Sequence, residues 1–197
     1  MSPPRLILAS TSRYRRELLA RLRVPFDVAA PGVDETPRPG EAPAALALRL
    51  ACAKAEAVAA RHPGAVAIGA DQVAFLGALV LSKPGTHDAA TAQLRALRGQ
   101  RVRFLTAVAV ARAGDAATRS RLVPTEVQFR VFDDAAIEAY LRADQPYDCA
   151  GAAKIESLGI ALVQRVESDD PTALIGLPLI ALVDLLAELG VAPLPCG

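Results

Sequence analysis

Three lysines stand out in this chain because almost every other basic residue is arginine. Only Lys54, Lys83 and Lys154 are lysine among the 22 basic residues. Either residue type can carry a solvated surface charge, but a pocket that holds a compact ammonium against one phosphate or carboxylate oxygen does not accept a planar guanidinium. The three lysines are therefore candidates for positions that chemistry selected. Chance retention is the alternative.

A run of hydroxyl and arginine side chains, from Ser10 to Arg16, lies between a predicted strand and a predicted helix. The free N–H groups and partial positive charge of a helix N-terminus bind phosphate. Ser10 and Ser12 add hydroxyl donors, and Arg15 can bind a phosphate through two N–H groups. This pattern indicates a phosphate site. The simpler interpretation is that Ser12 only caps the helix and the arginines are solvated.

Two pairs of polar residues suit a divalent cation. Asp71 and Gln72 follow the apolar run 66–70, and Asp34 and Glu35 lie in a loop rich in Pro and Gly. Carboxylates at strand ends and in loops bind Mg²⁺ or Mn²⁺, which polarise phosphoryl oxygens and activate water. A turn-forming aspartate and a solvated acidic pair are the alternative interpretation.

Two later segments carry the remaining lysines. Lys83 precedes a proline turn, a position suited to neutralising phosphate charge or to an ordinary turn. In the segment 149–156, small residues allow the backbone to approach a ligand closely. Lys154 and Glu156 would share one face if this segment were a strand. They are consistent with a ligand site or with a structural ion pair.

The composition narrows the possible partners. The net charge is +1, so the chain has no overall field that would attract nucleic acid or an anionic membrane, and it has no tryptophan for a base-stacking platform. The three cysteines, Cys52, Cys149 and Cys196, are far apart and form no CxxC pair. An odd cysteine count without a signal peptide indicates the cytoplasm. The apolar stretch 174–191 contains charged residues and proline, which favours a buried terminal helix over a membrane span.

Strand and helix patterns alternate along the chain, and two long strands follow one another. Periodicity predicts strands at 5–9, 26–30, 65–70, 79–81, 101–111, 121–130 and 160–166, and helices at 12–22, 44–62, 88–97, 133–142 and 178–189. Asp88 is a possible helix cap, and the segment 169–178 is interpreted as the start of the terminal helix. This order predicts a mixed α/β sheet with flanking helices in a single domain, residues 1–197.

In this order, the segments resemble the Maf family of nucleotide pyrophosphatases, from Leu6 to about Gly190. The resemblance includes all three lysines and rests on 9–12 with Arg15 and Arg16, 33–36, 49–51 with Lys54, 69–73, 83–84, 149–151 with Lys154 and Glu156, and 170–172 through 176–179.

The resemblance implies an α/β enzyme with two lobes around a substrate cleft, acting on a small-molecule nucleotide in the cytoplasm as a possible homodimer. It would cleave the α–β phosphoanhydride of a nucleoside triphosphate. Asp71 would be the catalytic residue, and Glu35 and Asp71 would hold a divalent metal cation, Mg²⁺ or Mn²⁺. The phosphate-binding residues would be Ser10, Ser12, Arg15, Lys54 and Lys83.

Tyr14, Gln72 and Glu156 resemble the branch of the family that hydrolyses 7-methyl-GTP. The base of this nucleotide is cationic, so an aromatic ring could stack on it and a carboxylate could accept hydrogen bonds from its N–H groups. Two alternatives stay open: a pyrophosphatase for dTTP, UTP or CTP, and a non-enzymatic regulator of septum formation that binds nucleotide.

Overall fold

The computed structural model describes residues 4–115 and 117–194 of the chain. They divide into two compact units. The first unit comprises Met1–Gln72, Leu105–Val123 and Asp170–Gly197, and the second comprises Val73–Phe104 and Pro124–Asp169.

Seven strands of the described residues form one mixed sheet, which confirms the predicted α/β class. They are β1 (Leu6–Leu8), β2 (Phe26–Val28), β3 (Val66–Leu76), β4 (Leu79–Leu81), β5 (Arg101–Arg112), β6 (Arg119–Phe129) and β7 (Val163–Ser168). Their order is β2-β1-β3-β5-β6-β7, with β4 paired to β3. Strand β1 is parallel to β2 and β3, whereas the β3–β4 and β6–β7 pairs are antiparallel.

The part of the chain that the structure describes also contains five α-helices. They are α1 (Arg13–Ala20), α2 (Pro43–Arg61), α3 (His87–Leu97), α4 (Asp134–Asp144) and α5 (Leu179–Ala187). Ser12, Thr86 and Asp133 cap α1, α3 and α4, because each side chain accepts a hydrogen bond from a first-turn backbone N–H.

The core of the first unit consists of aliphatic side chains from strands and helices. Leu8 of β1, Ile68 of β3 and Val108 of β5 pack in one cluster with Leu19 of α1 and Leu182 of α5. The terminal apolar segment is therefore a buried helix, as predicted. Within the described residues, no helix is both long and apolar enough to cross a membrane.

In the second unit, α3 packs against α4. The ring of His87 contacts both the Tyr147 hydroxyl, at 3.0 Å, and the Glu138 carboxylate, at 2.9 Å. The Lys154 ammonium donates to the carbonyl oxygens of Asp144 and Gln145 at the end of α4, at 3.0 and 3.3 Å. These carbonyls have no partner within the helix, so the lysine satisfies them.

Several predicted bounds are wrong. Strand β3 continues five residues past Asp71, because its last three residues, Ala74–Leu76, pair with the short hairpin strand β4. Thr86, not Asp88, caps α3. The predicted strand 160–166 begins instead at Val163, after a 3₁₀ turn over Leu158–Leu162.

Lys154 and Glu156 lie outside any strand, so the expectation of a shared strand face is also wrong. Cys52 is a free thiol, and the Cys149 thiol donates a hydrogen bond to Asp148 Oδ1 at 3.5 Å. Cys196 lies outside the described residues.

Candidate functional site

A buried ammonium lies between two carboxylates in the first unit. Lys54 Nζ is 2.8 Å from Asp71 Oδ1 and 2.9 Å from Glu35 Oε1. The side chains of Lys54 and Asp71 are only 5% and 10% exposed, whereas that of Glu35 is 59% exposed. The structure therefore brings together three residues that the sequence predicted as separate pieces of one site.

Close packing of α2 on β3 places Lys54 beside Asp71. Gly69 is the contact point, because a Cβ atom built there would lie 2.1 Å from the Ala51 carbonyl oxygen and 2.6 Å from the Ala55 nitrogen. Only a glycine allows the strand and the helix to approach this closely. Asp71 follows Gly69 by two residues, so both point to the same side of the strand, toward the helix.

Burial and the nearby cations shift the pKa of the Asp71 carboxyl in opposite directions. Burial raises the pKa of the Asp71 carboxyl above its ordinary value, although Lys54 and Arg15 act in the opposite direction. Burial also lowers the pKa of the Arg15 guanidinium, which Asp71 and Glu35 partly offset. A buried carboxylate with a raised pKa beside cations is typical of a group that accepts a proton during catalysis.

The predicted phosphate-binding turn precedes α1. Ser10 is buried, and its Oγ accepts a hydrogen bond from the Ser12 N–H at 3.1 Å. Ser12 Oγ accepts from the Arg15 N–H at 3.4 Å, so this residue does act as a cap. Arg15 Nε donates to the Gly176 carbonyl oxygen at 2.9 Å, which fixes the guanidinium in the unit that contains Asp71.

Gln72 is held by three acceptors. Its Nε2 group lies 2.9 Å from Thr106 Oγ1, 3.0 Å from the Ala173 carbonyl oxygen and 3.1 Å from the Leu174 carbonyl oxygen. Because carbonyl oxygens only accept hydrogen bonds, the amide must direct its NH₂ group toward them. Gln72 therefore has Oε1 to offer a ligand, and this atom can only accept.

The loop that supplies these carbonyls is fixed by Asp170 and Thr172. Asp170 is 2% exposed, and its two carboxylate oxygens accept from the Thr172 and Ile180 N–H groups at 3.0 and 2.7 Å. The segment 169–178 thus starts helix α5, as predicted. Sequence reasoning missed that it also orients Arg15 and Gln72, and it missed Thr106 altogether. A buried threonine in a strand was the available signal.

Tyr14 is half-buried and already contacts a cation. The guanidinium carbon of Arg13 is 4.9 Å from the centroid of the Tyr14 ring, and Arg13 Nη2 is 3.4 Å from the tyrosine hydroxyl. The ring therefore has the geometry of a cation–π contact, which is the interaction expected for a positively charged base.

The remaining predicted site residues belong to the second unit. Lys83 is exposed in the turn after β4, and Glu156 is exposed in the turn after Lys154. Lys154 itself is buried, and its Nζ lies 3.6 Å from Asp148 Oδ1 in addition to its contacts at the end of α4. Its position indicates a structural role.

The donor chemistry around Asp71 suits a hard cation. Among residues 4–115 and 117–194, no three His, Cys, Asp or Glu side chains cluster as a complete metal site. Mg²⁺ does not need such a cage, because it usually binds one or two carboxylates together with substrate phosphates and water. Glu35 and Asp71 provide two carboxylates that already share one cation, Lys54. These residues fit a metal that arrives with a triphosphate.

The chain matches one family model, described as "Maf-like protein", over residues 5–189. A protein of Bordetella pertussis named 7-methyl-GTP pyrophosphatase is 59% identical over 192 residues, which cover 98% of this chain and 96% of that protein. A protein of Thiobacillus denitrificans with the same name is 58% identical, over 95% of this chain and 94% of its own length.

Among solved structures, a HAM1 protein from Coxiella burnetii is similar with a TM-score of 0.47 and 18% identity, over 64% of this chain and 73% of that one.

Proposed function

Because this chain belongs to the Maf family, we propose that it is a nucleoside triphosphate pyrophosphatase that converts 7-methyl-GTP and water to 7-methyl-GMP and diphosphate. The observation that carries the reaction is the buried Lys54 ammonium between Asp71 and Glu35. The substrate is supported by relatives at 58–59% identity over nearly the whole chain that are named 7-methyl-GTP pyrophosphatase.

The reaction needs a base and a leaving group. A water oxygen forms a bond to the α-phosphorus, and the bond from that phosphorus to the α–β bridging oxygen breaks. Diphosphate leaves with the bridging oxygen. Asp71 is the acceptor for the water proton, and its buried position raises its pKa, which makes it a better base than a solvated aspartate.

A divalent cation, Mg²⁺ or Mn²⁺, would be held by Glu35 and Asp71. When bound, it would neutralise phosphate charge and polarise a phosphoryl oxygen. The exposure of Glu35 leaves its carboxylate accessible from solvent, where a nucleotide would enter.

Cationic and hydroxyl groups of the chain would bind the triphosphate. Lys54 and Arg15 carry buried or half-buried charge beside Asp71, so they would stabilise the negative charge that develops on the phosphates. Ser10 and Ser12 would contribute at the start of α1. Lys83 would neutralise charge as the leaving diphosphate forms.

Acceptor groups would read the base. Gln72 Oε1 is oriented as an acceptor by the contacts of its NH₂ group, and the guanine edge presents N–H donors. Glu156 would accept from the same edge. The Tyr14 ring would stack on the cationic base. In this structure the Arg13 guanidinium is the cation that contacts the ring.

A diphosphate-release screen tests the proposal. Purified protein with Mg²⁺ is given 7-methyl-GTP, GTP, dTTP, UTP and CTP at equal concentration, and 7-methyl-GTP should be hydrolysed fastest. A faster rate on a pyrimidine nucleotide would keep the reaction and reject the base. No diphosphate from any nucleotide would reject the enzyme and favour a nucleotide-binding regulator.

The proposed setting is the cytoplasm, with nucleotide as the partner and neither nucleic acid nor membrane. A homodimer is part of the proposal, and light scattering of the purified protein measures it.

A further inference from the structure

We propose that Arg49 is a positioning residue that holds Glu35 at the site by fixing the loop that carries it. This inference rests on the proposed function, in which Glu35 is a metal ligand. Arg49 itself would touch neither metal nor nucleotide.

Glu35 needs an external support because its loop has no regular structure. The segment between β2 and α2 contains neither helix nor strand, and the Glu35 side chain is 59% exposed. Its contact with the buried Lys54 ammonium, at 2.9 Å, has one partner that is open to solvent. An ion pair that water reaches from one side contributes little to holding a loop in place.

Arg49 binds this loop at two points. Its Nε lies 2.6 Å from Glu41 Oε1 and its Nη2 lies 2.7 Å from Glu41 Oε2, which is a two-pronged contact with one carboxylate. The same Nη2 donates to the Thr36 carbonyl oxygen at 3.2 Å. Thr36 is the residue after Glu35, so the guanidinium fixes the backbone directly beside the proposed ligand.

Three local hydrogen bonds support the clamped segment. Asp34 Oδ1 accepts from the Thr36 N–H at 2.9 Å and from the Thr36 hydroxyl at 2.6 Å, closing a turn around Glu35. Glu41 Oε2 also accepts from the Arg38 N–H at 3.0 Å. Arg49 therefore joins the turn that contains Glu35 to the end of the loop.

The Glu41 carboxyl is ionised around neutral pH, so the clamp is an ion pair. Hydrogen bonds from Arg49 and from the Arg38 N–H lower the pKa of Glu41 to about 2. The Glu41 and Arg49 side chains are only 8% and 21% exposed, which protects the contact from water.

Helix α2 supplies both supports of Glu35. Arg49 and Lys54 lie five residues apart on it, one contacting the loop backbone and the other the Glu35 carboxylate. The helix thereby transfers its own rigidity to a ligand in an irregular loop. Loss of a partner that orients a metal ligand typically weakens metal binding by about 10- to 100-fold.

The experiment compares Arg49→Ala, Arg49→Lys and Glu41→Gln with Arg61→Ala as a matched control. Arg61 is on the same helix and donates to the carbonyl oxygens of Ala30 and Pro31 at 2.6 and 3.3 Å, so it contacts the start of the same connection and not the residues beside Glu35. Mn²⁺ binding is measured by electron paramagnetic resonance with a non-hydrolysable 7-methyl-GTP analogue. Far-UV circular dichroism and urea unfolding confirm that each variant is folded.

We expect Arg49→Ala and Glu41→Gln to weaken Mn²⁺ binding by about tenfold or more. Arg49→Lys should recover part of the loss, since an ammonium can reach one acceptor but cannot make the two-pronged contact. The double variant Arg49→Ala/Glu41→Gln should be no worse than Arg49→Ala alone, because Arg49→Ala already removes the contacts with both Glu41 and the Thr36 carbonyl oxygen. In steady-state assays, the Mg²⁺ concentration for half-maximal rate should rise, while kcat at saturating Mg²⁺ changes less.

Unchanged Mn²⁺ affinity in a folded Arg49→Ala protein would overturn the inference, as would an equal loss in Arg61→Ala. The outcome for the proposed function is separate. If wild-type protein hydrolyses 7-methyl-GTP and the Arg49 variants bind Mn²⁺ normally, only the positioning role fails. If wild-type protein releases no diphosphate but the variants lose Mn²⁺, the positioning role stands and the proposed function fails.

Discussion

Asp71 combines burial with two nearby cations, and at the scale of single residues this makes it the most sensitive position in the site. Replacing it by asparagine keeps the side-chain shape but removes the proton acceptor. We expect Asp71→Asn to lower kcat on 7-methyl-GTP by about 10²- to 10⁴-fold, the range typical of a general base. Diphosphate release measures this, and circular dichroism should show an unchanged fold.

Asp27→Asn is the matched control for that change. Asp27 also pairs with a basic residue, Arg5, but on the surface, with a side chain 56% exposed. It should retain wild-type turnover. An Asp71→Asn enzyme within a few-fold of the wild type would remove Asp71 from the reaction.

Lys54 tests whether the lysines were retained for their shape. Its Nζ contacts Asp71 and Glu35 at 2.8 and 2.9 Å, and this buried position accommodates a compact ammonium group. Lys54→Met leaves two carboxylates without their cation, and we expect a loss of about 3 kcal/mol in the free energy of unfolding, since breaking a buried pair is costly. Urea unfolding measures it.

Lys54→Arg keeps a positive charge beside the two carboxylates, so it should unfold at a higher urea concentration than Lys54→Met, yet it should lose most of its turnover because a guanidinium does not fit the same pocket. Normal activity in this variant would mean that lysine at this position was chance retention.

The sequence predicted Lys54, Asp71 and Glu35 as site residues because lysine is scarce and the carboxylates follow an apolar run or lie in a polar loop. It could not predict that Lys54 contacts both carboxylates. Lys54 and Asp71, for example, lie 17 residues apart in the chain and meet only when α2 packs on β3. The signal for Thr106 was only a threonine within an apolar predicted strand. Its contact with Gln72 arises only when β3 and β5 become neighbours.

At the scale of elements, the close contact of α2 with β3 is the feature that positions the site. A Cβ on residue 69 would lie 2.1 Å from a backbone oxygen of α2, so Gly69→Ala must separate the helix from the strand. We expect it to lower the free energy of unfolding by about 3 kcal/mol, at the upper end of overpacking effects. Turnover should fall as well, because Lys54 moves away from Asp71.

Gly64→Ala is the control that separates the packing effect at Gly69 from the general cost of replacing a glycine by alanine. Gly64 has a φ of +80° and open space around it, so alanine there should cost only the backbone strain, about 1 kcal/mol. Its turnover should be normal. Equal effects of the two substitutions on unfolding and activity would contradict the proposed packing role of Gly69.

Periodicity predicted every strand and helix to within a few residues, except where contacts with other elements decided the bounds. Strand β3 extends to Leu76 because β4 pairs with its last three residues, a hairpin that the local pattern around Gln72 does not reveal. The segment 158–162 is as apolar as a strand, yet it forms a 3₁₀ turn that packs near α4. Apolar runs of this length fit either structure.

At the scale of the whole molecule, the mixed sheet followed from alternating strands and helices with two adjacent long strands. The order of those strands did not follow, because which strands become neighbours depends on the crossover connections. Composition and periodicity contain no signal for two compact units, although the family resemblance implies two lobes. Each unit is assembled from separated segments, and no linker of distinctive composition marks their boundaries.

The carboxyl groups of the molecule respond to acid in two opposite ways. Ion pairs and hydrogen bonds lower the pKa values of Asp34, Glu126, Asp134 and Glu138, and that of Glu41 to about 2. Groups with a lowered pKa stabilise the fold above the ordinary carboxyl range, near pH 4, and this stability is lost as pH falls toward their folded pKa values. Burial raises the pKa values of Asp71 and Glu156, so each protonates at a higher pH than an ordinary carboxyl of its type, and this protonation favours the folded state.

We therefore expect a pH window in which the enzyme is inactive but folded. As pH falls, Asp71 should become protonated above the ordinary aspartate range, and turnover should be lost while circular dichroism is unchanged. The terminal phosphate of the substrate also titrates, near pH 6, so turnover alone does not isolate Asp71. Carbon-13 NMR of the carboxyl groups therefore follows the titration of Asp71 directly, with Glu41 as the comparison group. The spectra of Asp71→Asn and Glu41→Gln identify the signals of these two residues. Return to neutral pH should restore full activity at once. An Asp71 signal that titrates at or below the ordinary aspartate range, or activity and circular dichroism lost at the same pH, would contradict the assignment of Asp71 as a buried base.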